Sequence, residues 1–133
     1  MGFHNKILLV DDDADDQLFF VDAIKAIEPT LECGIANNGV EALYYLERIP
    51  LLPSIIFLDL NMPVMNGFEC LAQLKKIIKY REIPVIIFTT SNNSVDRQRT
   101  LSLGANLFLT KPSDFFALKN ELQDVLQTLP AAI

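Results

Sequence analysis

The sequence predicts an α/β fold, a doubly wound five-stranded parallel sheet with five helices shared between its two faces. Three observations predict it. Strand-like and helix-like patterns alternate five times along the 133 residues. The runs Ile7-Leu8-Leu9-Val10, Ile55-Ile56-Phe57-Leu58 and Val85-Ile86-Ile87-Phe88 are apolar at every position, as strands are when both faces of a parallel sheet are covered. Asn-Gly pairs and prolines stand where the period changes, at Asn38-Gly39, Pro53, Asn66-Gly67 and Pro84, and such residues punctuate elements.

The elements follow in order. A first strand at Lys6–Val10 leads to Phe20, Ala23, Ile24 and Ile27, spaced i, i+3, i+4, i+7 on one helical face. Asp13, Asp15 and Asp16 make a charged first turn for that helix, favourable at its positive end. A second strand is expected at Leu31–Ile35, before a helix opened by Asn38-Gly39 and striped by Ala42, Leu43, Leu46 and Ile49. Pro53 precedes a third strand, Ser54–Leu58, and Asn66-Gly67 opens a helix buried through Leu71, Leu74 and Ile78. Pro84 precedes the fourth strand, Val85–Phe88. The segment Val95–Leu103 has few apolar anchors among Asp96, Arg97, Gln98, Arg99, Thr100 and Ser102. It reads as a weakly docked surface helix, stopped by Gly104. A fifth strand, Asn106–Leu109, leads to a last helix buried through Phe115, Leu118, Leu122, Val125, Leu126 and Leu129, with Ser113 or Asp114 as its cap.

Composition bounds the function. With about half its residues apolar, the chain reads as one domain over residues 1–133, with a core from about 6 to 129. No stretch approaches the roughly 20 apolar residues of a membrane span. The four-residue apolar run before Asp11 is too short for a signal peptide, so a cytoplasmic location without membrane insertion is expected. Cys33 and Cys70 lack ligand spacing and read as reduced packing residues. A net charge of −6 argues against direct nucleic-acid binding. Lys75, Lys76, Lys79 and Arg81 cluster around one helix end, where they complement the dipole and solvate a surface. His4 reads as a solvated tail residue.

In an open α/β sheet the functional groups gather at the carboxyl ends of the strands. Here those exits carry Asp11 and Asp12, then Asp59, Thr89 and Thr90, and finally Lys111-Pro112. Burying unpaired carboxylates is costly, so either these acids are scattered over separate loops or they converge on a cation. Carboxylates plus water suit Mg²⁺. Lysine and threonine suit phosphate oxygens. The expected chemistry is phosphoryl binding.

Val10-Asp11-Asp12-Asp13, Leu58-Asp59-Leu60-Asn61-Met62-Pro63 with Asn66-Gly67, Phe88-Thr89-Thr90 and Thr110-Lys111-Pro112 together resemble the response-regulator receiver domain. The resemblance covers Lys6 to about Leu129. It implies a flavodoxin-like strand order 2-1-3-4-5 and a stand-alone receiver of a two-component or phosphorelay system. Asp59 would be the phosphoacceptor, taking the group from a sensor histidine kinase or a histidine phosphotransfer protein. Mg²⁺ would be held by Asp12, Asp59 and the backbone carbonyl of Asn61, with Asp11 acting largely through water. Lys111 would pair with Asp59 and then with the phosphoryl group, Thr89 would hydrogen-bond that group, and Phe108 would turn inward as Thr89 shifts. Asn61, Thr90 and Ser91 would tune the rates, with Thr90 narrowing access where the family often has a small residue. A cis Lys111–Pro112 bond is implied as well. Output would run through the face of the fourth helix, fifth strand and last helix, where Phe116 lies, to an unknown downstream protein or into a weak dimer. No activity beyond self-phosphorylation and dephosphorylation is expected.

Each residue also has a plainer role available. Asp11 and Asp12 could cap the first helix, Asp59 could be a turn residue, and Thr89 an ordinary strand residue. Lys111 could be a surface charge, and Phe108 simply core. The alternative for the whole chain is a degenerate receiver, an interaction module independent of phosphate. An aspartyl phosphatase would want an acid where Asn61 stands, and a flavin-binding protein would not place Asp11-Asp12-Asp13 in its phosphate loop.

Overall fold

The computed structural model describes residues 5–129, so His4 lies outside the described residues. Ten elements alternate: β1 (Lys6–Val10), α1 (Ala14–Ile27), β2 (Glu32–Ala36), α2 (Gly39–Arg48), β3 (Ile55–Leu58), α3 (Gly67–Lys76), β4 (Val85–Thr89), α4 (Ser94–Ser102), β5 (Leu107–Thr110) and α5 (Phe115–Thr128). All strand pairs are parallel, in the order β2-β1-β3-β4-β5. This is the predicted architecture and strand order.

Alternation along each strand sends side chains to two cores. Leu8, Val10, Ile56, Leu58, Val85 and Ile87 face α2 and α3, meeting Ala42, Leu46, Cys70, Leu71 and Leu74. Ile7, Leu9, Ile55, Phe57, Ile86 and Phe88 face α1 and α5, meeting Phe20, Ala23, Ile24, Leu118, Leu122 and Val125. Within this second core Phe20 lies edge-on to Phe57 at 5.0 Å, and Phe57 to Phe88 at 6.2 Å, an arrangement aromatic quadrupoles favour. Residues 7–10 of β1 and all of β3 are fully buried within the sheet, which is why these runs show no polar alternation.

Helix starts are set by side-chain caps. Asp13, Asn38, Asn66 and Asp114 each accept from the backbone N–H three residues on, and Glu69 completes a capping box with Asn66. Of the two cap candidates for α5, Asp114 is the one used. Gly104, just past α4, has φ 108°, a conformation that favours glycine. Gly67 has a different reason to be glycine. A Cβ there would collide with the Asp59 carbonyl oxygen and lie 2.7 Å from Leu60 Cα. The start of α3 is therefore pressed directly onto the backbone that follows Asp59.

Four expectations need correction. Ile78 is exposed, because α3 ends at Lys76 and the chain turns before its stripe reaches position 78. Lys75 is not a solvating surface charge. Its ammonium donates to the carbonyls of Arg81 (3.1 Å) and Ile83 (3.0 Å), pinning the turn into β4. Burial lowers its pKa, with Glu82 opposing. The two edge strands, β2 and β5, each lie one residue later than expected, since an edge position leaves most of their residues incompletely covered and blurs the apolar signal. The described residues contain no cis peptide, so Lys111–Pro112 is trans, the form a proline bond prefers.

α4 is anchored as thinly as its sequence suggests. Thr100 is its buried side chain. Two guanidinium–ring contacts supplement it, Arg97 at 4.9 Å from the Phe108 ring and Arg99 at 3.9 Å from the Phe68 ring.

Candidate functional site

Two carboxylates are delivered by adjacent central strands. Asp11 follows β1 and Asp59 follows β3, and their amides still extend the sheet. Asp11 N–H donates to the Ala36 carbonyl and Asp59 N–H to the Val10 carbonyl, both at 2.9 Å. Asp11 is fully buried, Asp59 is 7% exposed, and Asp12, two residues beyond the strand, is exposed. One oxygen from each of the three lies within 4.8 Å of the others. The acids converge.

The counter-charge is Lys111. It sits just beyond β5, its N–H bonded to the Thr89 carbonyl (2.6 Å). Its ammonium donates to Asp11 Oδ2 (2.7 Å), Asp16 Oδ2 (2.8 Å) and Asp59 Oδ2 (3.1 Å). The remaining oxygens are also engaged. Asp11 Oδ1 accepts from the Asp13 N–H (3.0 Å) and Asp59 Oδ1 from the Leu60 N–H (2.7 Å). The lysine stem passes the Phe88 ring, 5.8 Å from centroid to ammonium.

Burial pushes the Asp11 carboxyl above its ordinary range and the nearby Asp59 charge adds to this, against the hydrogen bonds from Lys111 and Asp13 and the lysine's field. Burial works downward on Lys111, but its bonds to Asp11 and Asp16, with the fields of Asp59 and Asp11, overcome it and hold the ammonium above the ordinary lysine range. The lysine is a fixed cation. Even so, three carboxylates bind this one cation and the Asp12 carboxylate lies close to two of them, so the charge is not balanced. Three carboxylate oxygens converging at a water-accessible edge form a hard all-oxygen donor set, fit for a divalent cation such as Mg²⁺ or Mn²⁺.

Thr89 is fully buried at the end of β4, and its hydroxyl receives only a long contact from the Ser91 N–H (3.5 Å). Thr90 and Asn61 are exposed. Ser91 is committed elsewhere, its hydroxyl donating to Asp96 Oδ2 (3.0 Å) while its carbonyl accepts from Thr110 Oγ1 (2.9 Å). Phe108 is 5% exposed in the core beneath α4. Phe116 is exposed on α5.

Two residues at the site were not singled out from sequence. Asp16 was read as a helix-start charge, yet it binds Lys111. Gln17 donates to the Asp11 carbonyl (2.6 Å) and to Asn37 Oδ1 (2.8 Å), tying the first loop to the second. The available signal was local. With Asp13 as cap, position 16 lies in the first turn beside the strand exits, but nothing nearby in sequence announces a lysine 95 residues away.

A family model described as the response regulator receiver domain matches residues 7–123. The protein-glutamate methylesterase/protein-glutamine glutaminase of Methanococcoides burtonii is 36% identical over 129 residues, 93% of this chain but only 35% of that protein. The chain thus spans about a third of that relative. Response regulator Rcp1 of Synechocystis sp. is 33% identical over 95% of this chain and 93% of its own length. Its Mn²⁺-bound crystal structure superposes with a TM-score of 0.85 at 30% identity, covering 97% of this chain and 99% of that one. The phosphorylated cyanobacterial phytochrome response regulator RcpA gives a TM-score of 0.86 at 29% identity, covering 95% and 94%.

Proposed function

The chain belongs to the response regulator receiver family, and from that premise we propose that it accepts a phosphoryl group on Asp59 in a Mg²⁺-dependent reaction. The donor would be a phosphohistidine on a sensor histidine kinase or a histidine phosphotransfer protein, and the setting cytoplasmic. The observation that carries this reading is the meeting of Asp59 with Asp11, Asp12 and Lys111 at one edge of the sheet. Near-complete coverage of Rcp1 and RcpA supports action as a single-domain receiver. Among the described residues no helix is long and apolar enough to cross a membrane.

The chemistry is substitution at phosphorus. An Asp59 carboxylate oxygen forms the new O–P bond while the P–N bond to the donor imidazole breaks, the ring nitrogen leaving with the electron pair and taking up a proton. Asp11, Asp12 and Asp59, with the backbone carbonyl of Asn61, would hold Mg²⁺. Bound there, the cation supplies charge neutralisation for the phosphoryl oxygens. Lys111 stands 3.1 Å from Asp59 Oδ2 and supplies a second positive charge, which phosphoryl transfer uses for positioning and electrostatics. Thr89 has a weakly committed hydroxyl to offer a phosphoryl oxygen.

The signal would be a population shift. A phosphate on Asp59 attracts Lys111 and Thr89; Thr89 moves toward the acceptor and Phe108 repacks beside β4. Arg97 stacks on Phe108, so α4 would feel that change directly. The face of α4, β5 and α5 would then present altered contacts to a downstream protein.

Intact-mass analysis after incubation with acetyl phosphate tests this reading, with and without Mg²⁺, on the wild type and Asp59→Asn. A phosphate-sized gain that requires Mg²⁺ and vanishes in the variant is expected. If neither acetyl phosphate nor a kinase donor labels the wild type, the phosphate-independent interaction module takes its place.

A further inference from the structure

Lys111 has three carboxylate partners, and the third belongs neither to the strand exits nor to the acceptor. Asp16 comes from the first turn of α1 and accepts from the ammonium at 2.8 Å, between the 2.7 Å to Asp11 and the 3.1 Å to Asp59. That turn is held firmly. Asp13 caps it through the Asp16 N–H itself (2.9 Å), and Gln17 grips the Asp11 carbonyl. The lysine end of this contact is sheltered. Lys111 is 9% exposed and Asp16 39%, and the gap beside them, 20 Å³, is lined by Phe19, Phe88 and Leu118. Asp15, one residue earlier, is exposed on the same turn.

Resting on the metal-dependent reading above, we propose that Asp16 is a positioning residue that keeps Lys111 partnered when Asp11 and Asp59 release it, so that those carboxylates can engage a divalent cation. The same ammonium oxygen contacts that neutralise Asp11 and Asp59 would otherwise compete with the cation for both. A third anion on the lysine lowers the cost of that exchange, because the ammonium keeps a full charge partner when the cation takes Asp11. The effect runs through Lys111. It is distinct from the general attraction that any nearby aspartate, such as Asp15, exerts on a cation, which screening weakens at an exposed site.

The test is a double-mutant cycle on Mn²⁺ affinity, read by the electron paramagnetic resonance signal of free Mn²⁺. Asp16→Asn is expected to weaken binding by about fivefold to tenfold, and Asp15→Asn by less than about twofold. In a Lys111→Met background the Asp16→Asn effect should shrink to that of Asp15→Asn. Equal losses for the two aspartates, or an Asp16→Asn loss that persists undiminished without the lysine, would overturn the inference while leaving the proposed function intact. A wild type that binds no Mn²⁺ would overturn both. Thermal melts of each variant without metal keep a folding defect from being mistaken for a binding one.

Discussion

Replacing Lys111 with methionine removes the ammonium that faces Asp11, Asp16 and Asp59. The stem volume is kept, so packing against Phe88 changes little and the loss is electrostatic. The Asp11 and Asp59 side chains are 1% and 10% exposed, and stripping a buried charge of its partner costs about 3–5 kcal/mol. Asp16 is 39% exposed and adds little, since surface pairs contribute about 0–1 kcal/mol. We expect about 3 kcal/mol lost in metal-free buffer at neutral pH, or a fall in Tm of roughly 10 °C. Mg²⁺ should narrow the gap, because a cation held by the same carboxylates replaces the missing charge. The pH dependence has a definite sign. The folded pKa of Lys111 lies above its ordinary 10.5, so its stabilisation is complete below that pH and fades as pH rises through the folded value. Urea unfolding of wild type and variant, with and without Mg²⁺ and from neutral to alkaline pH, measures all of this. A metal-free variant as stable as the wild type at neutral pH would refute the reasoning.

Two further outcomes follow from local features. Glu121 on α5 has a buried Oε2 without a hydrogen-bond partner, and burial, with Asp124, raises its pKa above 4.5. A raised carboxyl costs stability once pH exceeds the folded value and nothing well below 4.5. Glu121→Gln should therefore add about 1 kcal/mol at pH 7, a gain that disappears on acidification in paired urea titrations. Gly67→Ala should cost about 2–3 kcal/mol by overpacking against the Asp59–Leu60 peptide, and should slow acetyl phosphate labelling as well. A variant that is destabilised yet labelled at the wild-type rate would show that the helix start does not position Asp59.

Much of the frame was legible because its causes are local. The runs at residues 7–10, 55–58 and 85–88 are buried on both faces and therefore apolar throughout, and Asn38, Asn66 and Asp114 cap helices through bonds to residues three away. Errors fell where distant contacts decide. Ile78 continues an apolar stripe in sequence, but α3 has already ended. Lys75 looks like a surface charge until the α3–β4 turn folds two carbonyls over it. Edge strand β2, covered by sheet on one side only, carries too weak a pattern to fix its ends.

At the candidate site the same division holds. Residue order alone marked Asp11, Asp12, Asp59, Thr89 and Lys111 as strand-exit residues, because parallel strands in a doubly wound sheet bring their carboxyl ends to one edge. Which charge meets which was left to the tertiary structure. Lys111 joins carboxylates 52, 95 and 100 residues away, and Asp16 enters only because α1, packed against the sheet, carries its first turn over the exit of β5. Local sequence sets the conformation of each segment, but the partners of a charge depend on which segments packing brings within hydrogen-bond reach.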